Sequence, residues 1–430
     1  MAESLKSHRV FAVVDQGVVS LGNFATNLAI IRNLAPGDFG IYAALWSMML
    51  LLNTLQSSLV VHPMLVIAAG SPGERARKYF TAGLGATAAL IVPLAAVGAA
   101  AAAVLHSARL ALWIIPALLA WQLQEGTRRA LTSQERYRDC LLGDSVSYLG
   151  QAASVFLLAS AGMLSLPAVF ACITATSLLA GLVQAFQIRP AAISLREFAD
   201  CIREFWKIGH WIANLNIVAT VTTVAMPWYL TLLRGPVAAA GFQALLYVTG
   251  IVQPLVTGIG SLVAVSTARA AATGEIRTSL REISRPVLLG AGAISVYGIL
   301  LSLFPSTAFT VFFRSRSPYA DLAPLLPIFA VAGLLLYLSQ MLAEALVGMR
   351  ATRSAFLCQL SASIACAVVA IIAVPARPAW GAGIALIAAN VARLIAGSVL
   401  LPRAVNAPET WRPIEESMVE EPVAVDELAL

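Results

Sequence analysis

The stretch AVVDQGVVSLGNFATNLAIIRNLAPGDFG, from Ala12 to Gly40, combines a membrane-length apolar segment with polar side chains in its interior. Its first two thirds are apolar enough to cross a bilayer, whose hydrocarbon core of about 30 Å requires about 20 helical residues. The same segment nevertheless holds an acid, Asp15, and several amides and hydroxyls. Because lipid offers these groups no hydrogen bonds, they must face protein or water. The stretch therefore predicts a membrane helix with one face turned away from lipid.

The composition indicates that membrane-length segments recur along the whole chain. Of 430 residues, 59% are hydrophobic and only 12% are charged, and the mean hydropathy is +0.82. A soluble protein of this length needs far more charge on its surface. The five cysteines are scattered without a Cys-x-x-Cys pair, which argues against a disulfide framework or a zinc site. The sequence therefore predicts an all-α integral membrane protein with about 12 transmembrane helices.

The expected spans set the orientation of the chain. They lie at 10–31, 40–61, 79–104, 110–127, 140–162, 165–188, 208–232, 239–263, 286–305, 322–346, 354–374 and 379–401. When Lys and Arg are assigned to alternate sides, 21 fall on one side and six on the other, with Arg393 inside the last span. Arg128 and Arg129 count here as part of the basic loop after the fourth span. The positive-inside rule then places both termini in the cytoplasm.

Two junctions in the chain resemble each other and suggest an internal duplication. The sequence IIRNLAPGDFGIYAAL follows the first span and TLLRGPVAAAGFQALL follows the seventh, and each carries Arg, then Pro, then Gly where the next helix begins. We therefore expect two pseudo-symmetric six-helix lobes, residues 1–200 and 201–402, related by an axis along the membrane normal. Residues 403–430, rich in Pro and acid, are expected to form a disordered cytoplasmic tail.

The polar residues of the first and seventh spans fall into matching stripes. Those of the first span are Gln16, Ser20, Asn23 and Asn27, and those of the seventh are Asn216, Thr220 and Thr223. Steps of three and four residues hold each set on one helix face. One interpretation is that the stripes line a central cavity between the lobes. The other is that they form hydrogen bonds between helices, as small polar residues commonly do in membranes.

Four charged residues within or beside the spans have two interpretations each. Asp15 is a candidate proton or cation site, or a carboxylate that reaches the headgroup region from about 8 Å inside the first span. Arg393 is a candidate contact for an anionic substrate, or a partner in a structural pair. Arg32 and Arg234, at equivalent helix ends, could meet a phosphate or an acidic sugar, or extend to the lipid headgroups. Glu125, at the end of the fourth span, is expected at the membrane interface.

The sequence offers little that points to an enzyme. It contains no P-loop and no His-Glu-x-x-His motif, and its four histidines are isolated. No loop is long enough to hold a soluble catalytic domain. We therefore expect no catalytic residues, no bound metal and no cofactor beyond a coupling ion, H⁺ or Na⁺.

The opening helix resembles the first-helix signature of the polysaccharide transporter family. The matching features are Asp15-Gln16, Ser20, Asn23-Phe24, Arg32 and the segment from Pro36 to Gly40. This family includes the O-antigen and exopolysaccharide flippases and belongs to the same superfamily as the multidrug and toxin extrusion proteins. The resemblance implies two six-helix lobes, alternating access and a lipid-linked or polymeric sugar substrate.

The leading functional hypothesis is a flippase for lipid-linked oligosaccharide or exopolysaccharide precursors in the bacterial inner membrane. Its partners would be membrane lipids, the sugar substrate and the polymerase or glycosyltransferase machinery, with no nucleic acid. The first alternative is a multidrug or cation antiporter of the same superfamily, which would need deep acids of which only Asp15 is a candidate. A major facilitator lacks support because the loop GSPGERARKYF does not carry that family's usual motif. A non-transporting scaffold of an envelope-polymer assembly complex is the remaining alternative.

Overall fold

The chain folds into helices of membrane length, because a backbone in lipid must form its hydrogen bonds within its own segment. The computed structural model describes residues 2–69, 71, 73–313 and 317–406, leaving aside the side chains of 2–10, 12, 13, 69, 211, 214, 215, 218, 219 and 221–223. The helices in these ranges are α1 Ala2–Asn33, α2 Pro36–Gln56, α3 His62–Ala69, α4 Gly73–Val104, α5 Ala111–Ser133, α6 Tyr137–Asp144, α7 Gly150–Ser160, α8 Leu166–Ile188, α9 Leu195–Arg234, α10 Pro236–Thr249, α11 Gln253–Thr273, α12 Ile276–Leu303, α13 Pro305–Phe313, α14 Leu326–Gly348, α15 Thr352–Ala373 and α16 Pro378–Asn406.

These helices join into membrane-length stretches that correspond one to one with the predicted spans. The π-helical turns Ser57–Val61 and Ser145–Leu149 connect α2 to α3 and α6 to α7, and the 3₁₀ turn Gly250–Val252 connects α10 to α11. Within the described ranges, nine helical stretches are long and apolar enough to cross a membrane. The other three long helices are α1, α5 and α9, which carry the polar residues described below. The prediction of an all-helical integral membrane protein is confirmed.

Local sequence signals define where several helices begin. Pro36 and Pro236 stand at the first position of α2 and α10, where a missing backbone N–H has no cost. They are the prolines of the two similar junctions. Helix α9 begins with a capping box: the Ser194 hydroxyl accepts a hydrogen bond from the Glu197 N–H, and the Glu197 carboxylate accepts one from the Ser194 N–H.

One compact unit consists of Met1–Val248, Pro305–Leu325 and Val374–Ala382. Within it α5 packs along α8, α2 packs along α9, and α1 packs against α6 and α7. A hydrophobic cluster around Tyr79, Phe80 and Phe205 fills the space between α3, α4 and the start of α9. Large apolar side chains on its outer surface, such as Leu112 and Phe186, are exposed because this surface meets lipid rather than water.

The second unit consists of Thr249–Phe304, Leu326–Ala373 and Gly383–Leu430. Helices α11, α12 and α14 pack around a cluster that includes Val263, Ile294 and Met341. The Tyr337 hydroxyl in this core donates to the Val287 carbonyl at 2.8 Å. The predicted lobe boundary after residue 200 falls inside α9 and stays a prediction. Residues 403–406 complete α16, and the rest of the predicted tail, 407–430, lies outside the described residues.

Candidate functional site

Helix α1 has one buried polar face that packs against the π-helical turn Ser145–Leu149. Asp15, Gly22 and Thr26 share this face because they are separated by seven and four residues. A Cβ atom at Gly22 would lie 2.7 Å from the Tyr148 backbone, so only glycine permits this approach. The close packing leaves Asp15 only 3% exposed. Asp15 therefore lies among protein groups rather than headgroups, contrary to the second interpretation of its sequence position.

The predicted stripe of α1 lies on another face, which the first unit leaves partly open. Gln16 is exposed, and Ser20, Asn23 and Asn27 are half-buried. Their hydrogen bonds stay within the helix: Gln16 Nε2 donates to Ser20 Oγ at 3.5 Å, and Asn27 Nδ2 donates to the Asn23 carbonyl at 2.9 Å. Amides that are accessible at this depth require water or a polar ligand.

Asp15 is part of an ion cluster, which we define as Asp15, Glu125, Arg128 and Asp144. Arg128 on α5 lies at its centre: Nε donates to Asp144 Oδ2 at 2.5 Å, and Nη2 lies 3.5 Å from Asp15 Oδ2. Nη1 lies 3.6 Å from Glu125 Oε2. Glu125 also pairs with Arg129 at 2.7 Å, nearer the surface. All four cluster residues are at most 9% exposed.

Neutral groups complete the surroundings of Asp144. Gln184 on α8 donates to Asp144 Oδ1 at 3.0 Å, and the Thr127 hydroxyl donates to Gln184 Oε1 at 2.9 Å. Gln184 reaches this position over Gly143, where any Cβ atom would collide with its side chain. By contrast, Asp15 Oδ1 is buried and has no hydrogen-bond partner among the described residues. An unsatisfied buried carboxylate oxygen is costly, so it marks where a proton or a cation would be stabilised.

The charges of the ion cluster do not balance, even when Arg129, the surface partner of Glu125, is counted with it. Asp15, Glu125 and Asp144 supply three carboxylates, whereas Arg128 and Arg129 supply two guanidiniums. One surplus negative charge in a low-dielectric interior favours uptake of one positive charge. Asp15, Cys140 and Asp144 offer three ligand atoms within 4.8 Å of one another. However, Arg128 already contacts both carboxylates, so its guanidinium opposes a metal ion there.

The polar stripe of α9 contacts a neighbouring helical stretch, whereas the hydrogen bonds of the α1 stripe stay within α1. Asn216 Nδ2 donates to Ser58 Oγ at 3.0 Å, and the Thr220 hydroxyl lies 3.4 Å from the Thr54 hydroxyl, both across to the helical stretch 36–69. Asn216 and Thr220 remain half-buried. The side chain of Thr223 lies outside the described part of the chain. In α9, therefore, interhelical hydrogen bonding uses the side chains that were also predicted to line a cavity.

Arg32 and Arg234 both donate to backbone carbonyl groups of distant segments. Arg32 Nε donates to the Phe312 carbonyl at 2.5 Å, and its Nη2 donates to the Val311 carbonyl at 2.9 Å, at the end of α13. Arg234 Nη2 donates to the Pro375 carbonyl. Both guanidiniums thus hold later segments of the first unit against α1 and α9. A contact with an anionic substrate, for which both were candidates, stays a prediction.

Arg393 lies near the middle of α16 and carries no ion pair within the described residues. Its Nη1 donates to Gln340 Oε1 at 3.3 Å, and Gln340 Nε2 donates to Glu344 Oε1 at 2.7 Å. Its Nε atom is buried without a hydrogen-bond partner among the described residues. The guanidinium thus lies about 20 Å from either end of the helix, and its partner is a neutral amide. Because its positive charge is not compensated by that amide, it could bind an anion.

The ion cluster is the part of the site that sequence reasoning missed. Helix α5 continues to Ser133, so Arg128 lies inside a helix and not in a loop, and Glu125 is buried rather than interfacial. The spacing of Glu125 and Arg128 by three residues on one helix face was a signal of an internal ion pair. Asp144 inside the fifth span was a second signal.

Comparison with solved structures identifies the fold. A MATE multidrug resistance transporter in an inward-facing conformation superposes with a TM-score of 0.77 at 13% identity, over 94% of this chain and 100% of that one. The lipid II flippase MurJ gives 0.73 at 11% identity, over 93% and 90%. The eukaryotic MATE transporter AtDTX14 gives 0.67 at 13% identity, over 94% and 98%.

Sequence comparison adds no family assignment. No protein-family model matches the chain, and no curated protein matches it. At 11–13% identity the structural likeness establishes the fold alone. The chain is a multi-pass membrane protein with a fold shared by a MATE transporter of the MOP superfamily and by the lipid II flippase MurJ.

Proposed function

We propose that this protein is a flippase that moves lipid-linked oligosaccharide or exopolysaccharide precursors across a bacterial inner membrane. The fold, shared with a lipid II flippase and with drug transporters, supports transport but does not distinguish between these substrates. The observation that carries the choice is Arg393, a mid-helix cation without a carboxylate partner in the described residues. It favours a substrate that carries phosphate or acidic sugar over a cationic drug.

The proposed path is the accessible polar face of α1 together with the stripe of α9. Gln16, Ser20, Asn23 and Asn27 leave hydrogen-bonding capacity open for sugar hydroxyls, whereas Asn216 and Thr220 are partly engaged with α2 and the π-helical turn that follows it. Alternating access of two lobes would expose this path to each side of the membrane in turn. Both termini would remain in the cytoplasm, and the partners would be polymerase or glycosyltransferase machinery.

The ion cluster is the proposed coupling site, and we infer that the coupling ion is a proton. The surplus carboxylate and the unpartnered Asp15 Oδ1 require one positive charge. A proton on Asp15 meets this need without entering the space beside the Arg128 guanidinium, whereas Na⁺ would meet a fixed like charge. Release of the proton on one side of the membrane would then be linked to the conformational change.

A transport assay in proteoliposomes tests the substrate. A fluorescent lipid-linked diphosphate oligosaccharide is added, and the fraction that becomes accessible to a quencher on the opposite leaflet is measured over time. Arg393→Gln should slow this transfer at least tenfold, Arg393→Lys should retain part of it, and Arg285→Gln, which changes an exposed arginine of α12, should leave it unchanged. Transfer by Arg393→Gln at the wild-type rate would overturn the role of Arg393.

The same vesicles test the alternatives. A multidrug or cation antiporter, which the surplus carboxylate also suits, would expel a cationic dye and leave the lipid-linked sugar in place. A scaffold would move neither. In cells, depletion should cause the lipid-linked precursor to accumulate on the cytoplasmic leaflet, an outcome that a scaffold does not predict.

Asp15→Asn tests the coupling. Wild-type transport should follow an imposed pH gradient and be indifferent to Na⁺, and the Asp15→Asn protein should lose the response to the pH gradient. Asp38→Asn, which changes an exposed carboxylate at the start of α2, is the matched control. Dependence on Na⁺ in the wild type, or an unaltered pH response in the variant, would remove Asp15 as the proton site.

A further inference from the structure

A cleft of about 890 Å³ opens at one end of the first unit, and its lining shares no residue with the ion cluster or the polar stripes. It lies where the segment after α3, the start of α4, and the ends of α5 and α8 meet. The residues of its lining that bear on what it could bind are Glu74, Arg77, Phe80, Arg136, Phe186, Ile188 and Arg189. All these helix ends belong to the side that the Lys and Arg distribution assigns to the cytoplasm.

The cleft carries surplus positive charge. Arg77, Arg136 and Arg189 face one acid, Glu74, within the lining. Arg136 is already engaged: it pairs with Asp139 at 2.6 Å and donates to the Gln187 carbonyl at 3.2 Å, which ties the end of α8 to the start of α6. Arg77 and Arg189 have no side-chain hydrogen bond or ion pair among the described residues. Two cations are therefore available to a ligand.

The backbone of Arg189 adopts a conformation that is usually found at glycine. It ends α8 in a left-handed conformation with φ of 55°, and its N–H donates to the Ala185 carbonyl at 3.1 Å. This position at a helix end strongly favours glycine or asparagine. The arginine side chain is thereby placed at the rim of the cleft.

The apolar part of the lining indicates what kind of anion would fit. Phe186, two residues before the end of α8, is 85% exposed on the outer surface. Phe80 and Ile188 are buried in the wall. A ligand that meets Phe186 and the two arginines at once must combine an apolar chain with a negative headgroup at the membrane interface.

We propose that this cleft binds the phosphate headgroup of an anionic phospholipid of the cytoplasmic leaflet, with Arg77 and Arg189 as its ligands. The acyl chains would lie along Phe186 and the adjoining lipid-facing surface of α8. The site is separate from the proposed transport path, and it does not depend on which substrate is moved. A phosphate that binds both arginines would also connect the start of α4 to the end of α8.

Native mass spectrometry of the full-length protein in detergent tests this proposal. The protein is titrated with dioleoylphosphatidylglycerol and, separately, with dioleoylphosphatidylcholine, and the affinity of the first bound lipid is measured. Wild type should prefer phosphatidylglycerol, and Arg77→Gln/Arg189→Gln should weaken its binding by roughly 30-fold, the combined effect of two interfacial arginines. Binding of phosphatidylcholine should not change.

The control variant Arg138→Gln/Arg196→Gln removes two exposed arginines from the same side, outside the cleft, and should keep the preference. The single variants Arg77→Gln and Arg189→Gln provide the same comparison if the double variant does not fold. Equal loss in the control variant would indicate a diffuse surface charge and overturn the site. Displacement of the lipid by millimolar inorganic phosphate would show a free-phosphate site and overturn the lipid assignment, as would an unchanged preference in the double variant.

Discussion

At the scale of single residues, Arg128 holds three carboxylates together in a place where water cannot screen them. Arg128→Gln should lower stability by about 3–5 kcal/mol, because it leaves Asp15, Glu125 and Asp144 buried without the central charge. Thermal unfolding in detergent, followed by intrinsic fluorescence, should show a markedly lower Tm.

The double variant Arg128→Gln/Asp144→Asn separates electrostatics from packing. It removes one carboxylate along with the guanidinium, so it should recover part of the lost stability. Arg138→Gln, at an exposed position, should leave the Tm near that of the wild type. No recovery in the double variant would mean that Arg128 acts mainly through packing.

Gly40 is a residue whose lack of a side chain is required by a distant segment. A Cβ atom there would collide with the carbonyl group of Pro236, so α2 and α10 approach each other at backbone contact. Gly40→Ala should therefore destabilise the protein by about 1–3 kcal/mol or more. Gly37→Ala, three residues earlier with nothing within 4 Å of its Cβ position, should be neutral or slightly stabilising in the same thermal assay.

At the scale of helices, Arg32 fixes the short helix α13 to the end of α1. Arg32→Ala removes the donors to the Val311 and Phe312 carbonyls, so amide hydrogen exchange across residues 305–313 should become about tenfold faster. Arg109→Ala, which changes an exposed arginine between α4 and α5, should not affect this segment. Unchanged exchange in the Arg32 variant would show that α13 is held by its aromatic packing alone.

The Glu197 carboxylate stabilises the start of α9 and stays ionised at a lower pH than an ordinary glutamate. The hydrogen bond from Lys78, together with those at Ser194, lowers the pKa of Glu197 to about 2. Because the folded-state pKa lies below the ordinary value of 4.5, this contribution to stability is complete above about pH 4.5 and is lost as the pH falls toward 2.

Comparison of wild type with Glu197→Gln tests this dependence. The Tm difference between the two proteins should be constant from pH 7 to about pH 5 and should shrink steadily on further acidification. A difference at pH 2.5 as large as that at pH 7 would assign the effect to side-chain packing. Asp200→Asn, which alters the neighbouring exposed pair with Arg203, should show no comparable trend.

At the scale of the whole molecule, the orientation in the membrane follows from the distribution of Lys and Arg. A reporter phosphatase that requires disulfides, fused after residue 405, should be inactive because the predicted orientation places the C-terminus in the reducing cytoplasm. The same reporter inserted at Ser107, between α4 and α5, should be active. Reporter activity after residue 405 would contradict the predicted twelve-span topology.

The sequence by itself determined that the chain consists of twelve membrane-length helical stretches and roughly where each lies, because a bilayer imposes a fixed length on each apolar segment. It also determined the stripe of Gln16, Ser20, Asn23 and Asn27, since a helix face depends only on local spacing. It did not predict the short helix α13 or the continuation of α5 to Ser133. Helical periodicity does not specify which helices become neighbours. The partners of Asp15, which lie more than 100 residues away, were therefore decided by tertiary packing alone.

Tertiary packing also decided the partners of two arginines, because helical periodicity does not specify them. In the sequence, Arg32 and Arg234 lie at equivalent helix ends and were expected to meet an anionic substrate or extend to the lipid headgroups. In the structure, each donates to a carbonyl group of a segment 141 to 280 residues away. The lipid-binding cleft likewise joins the ends of four helices whose basic residues appeared only as a topology signal. Local chemistry fixed what each residue could do, and the three-dimensional arrangement decided which partner it met, because long-range contacts depend on the packing of the entire bundle.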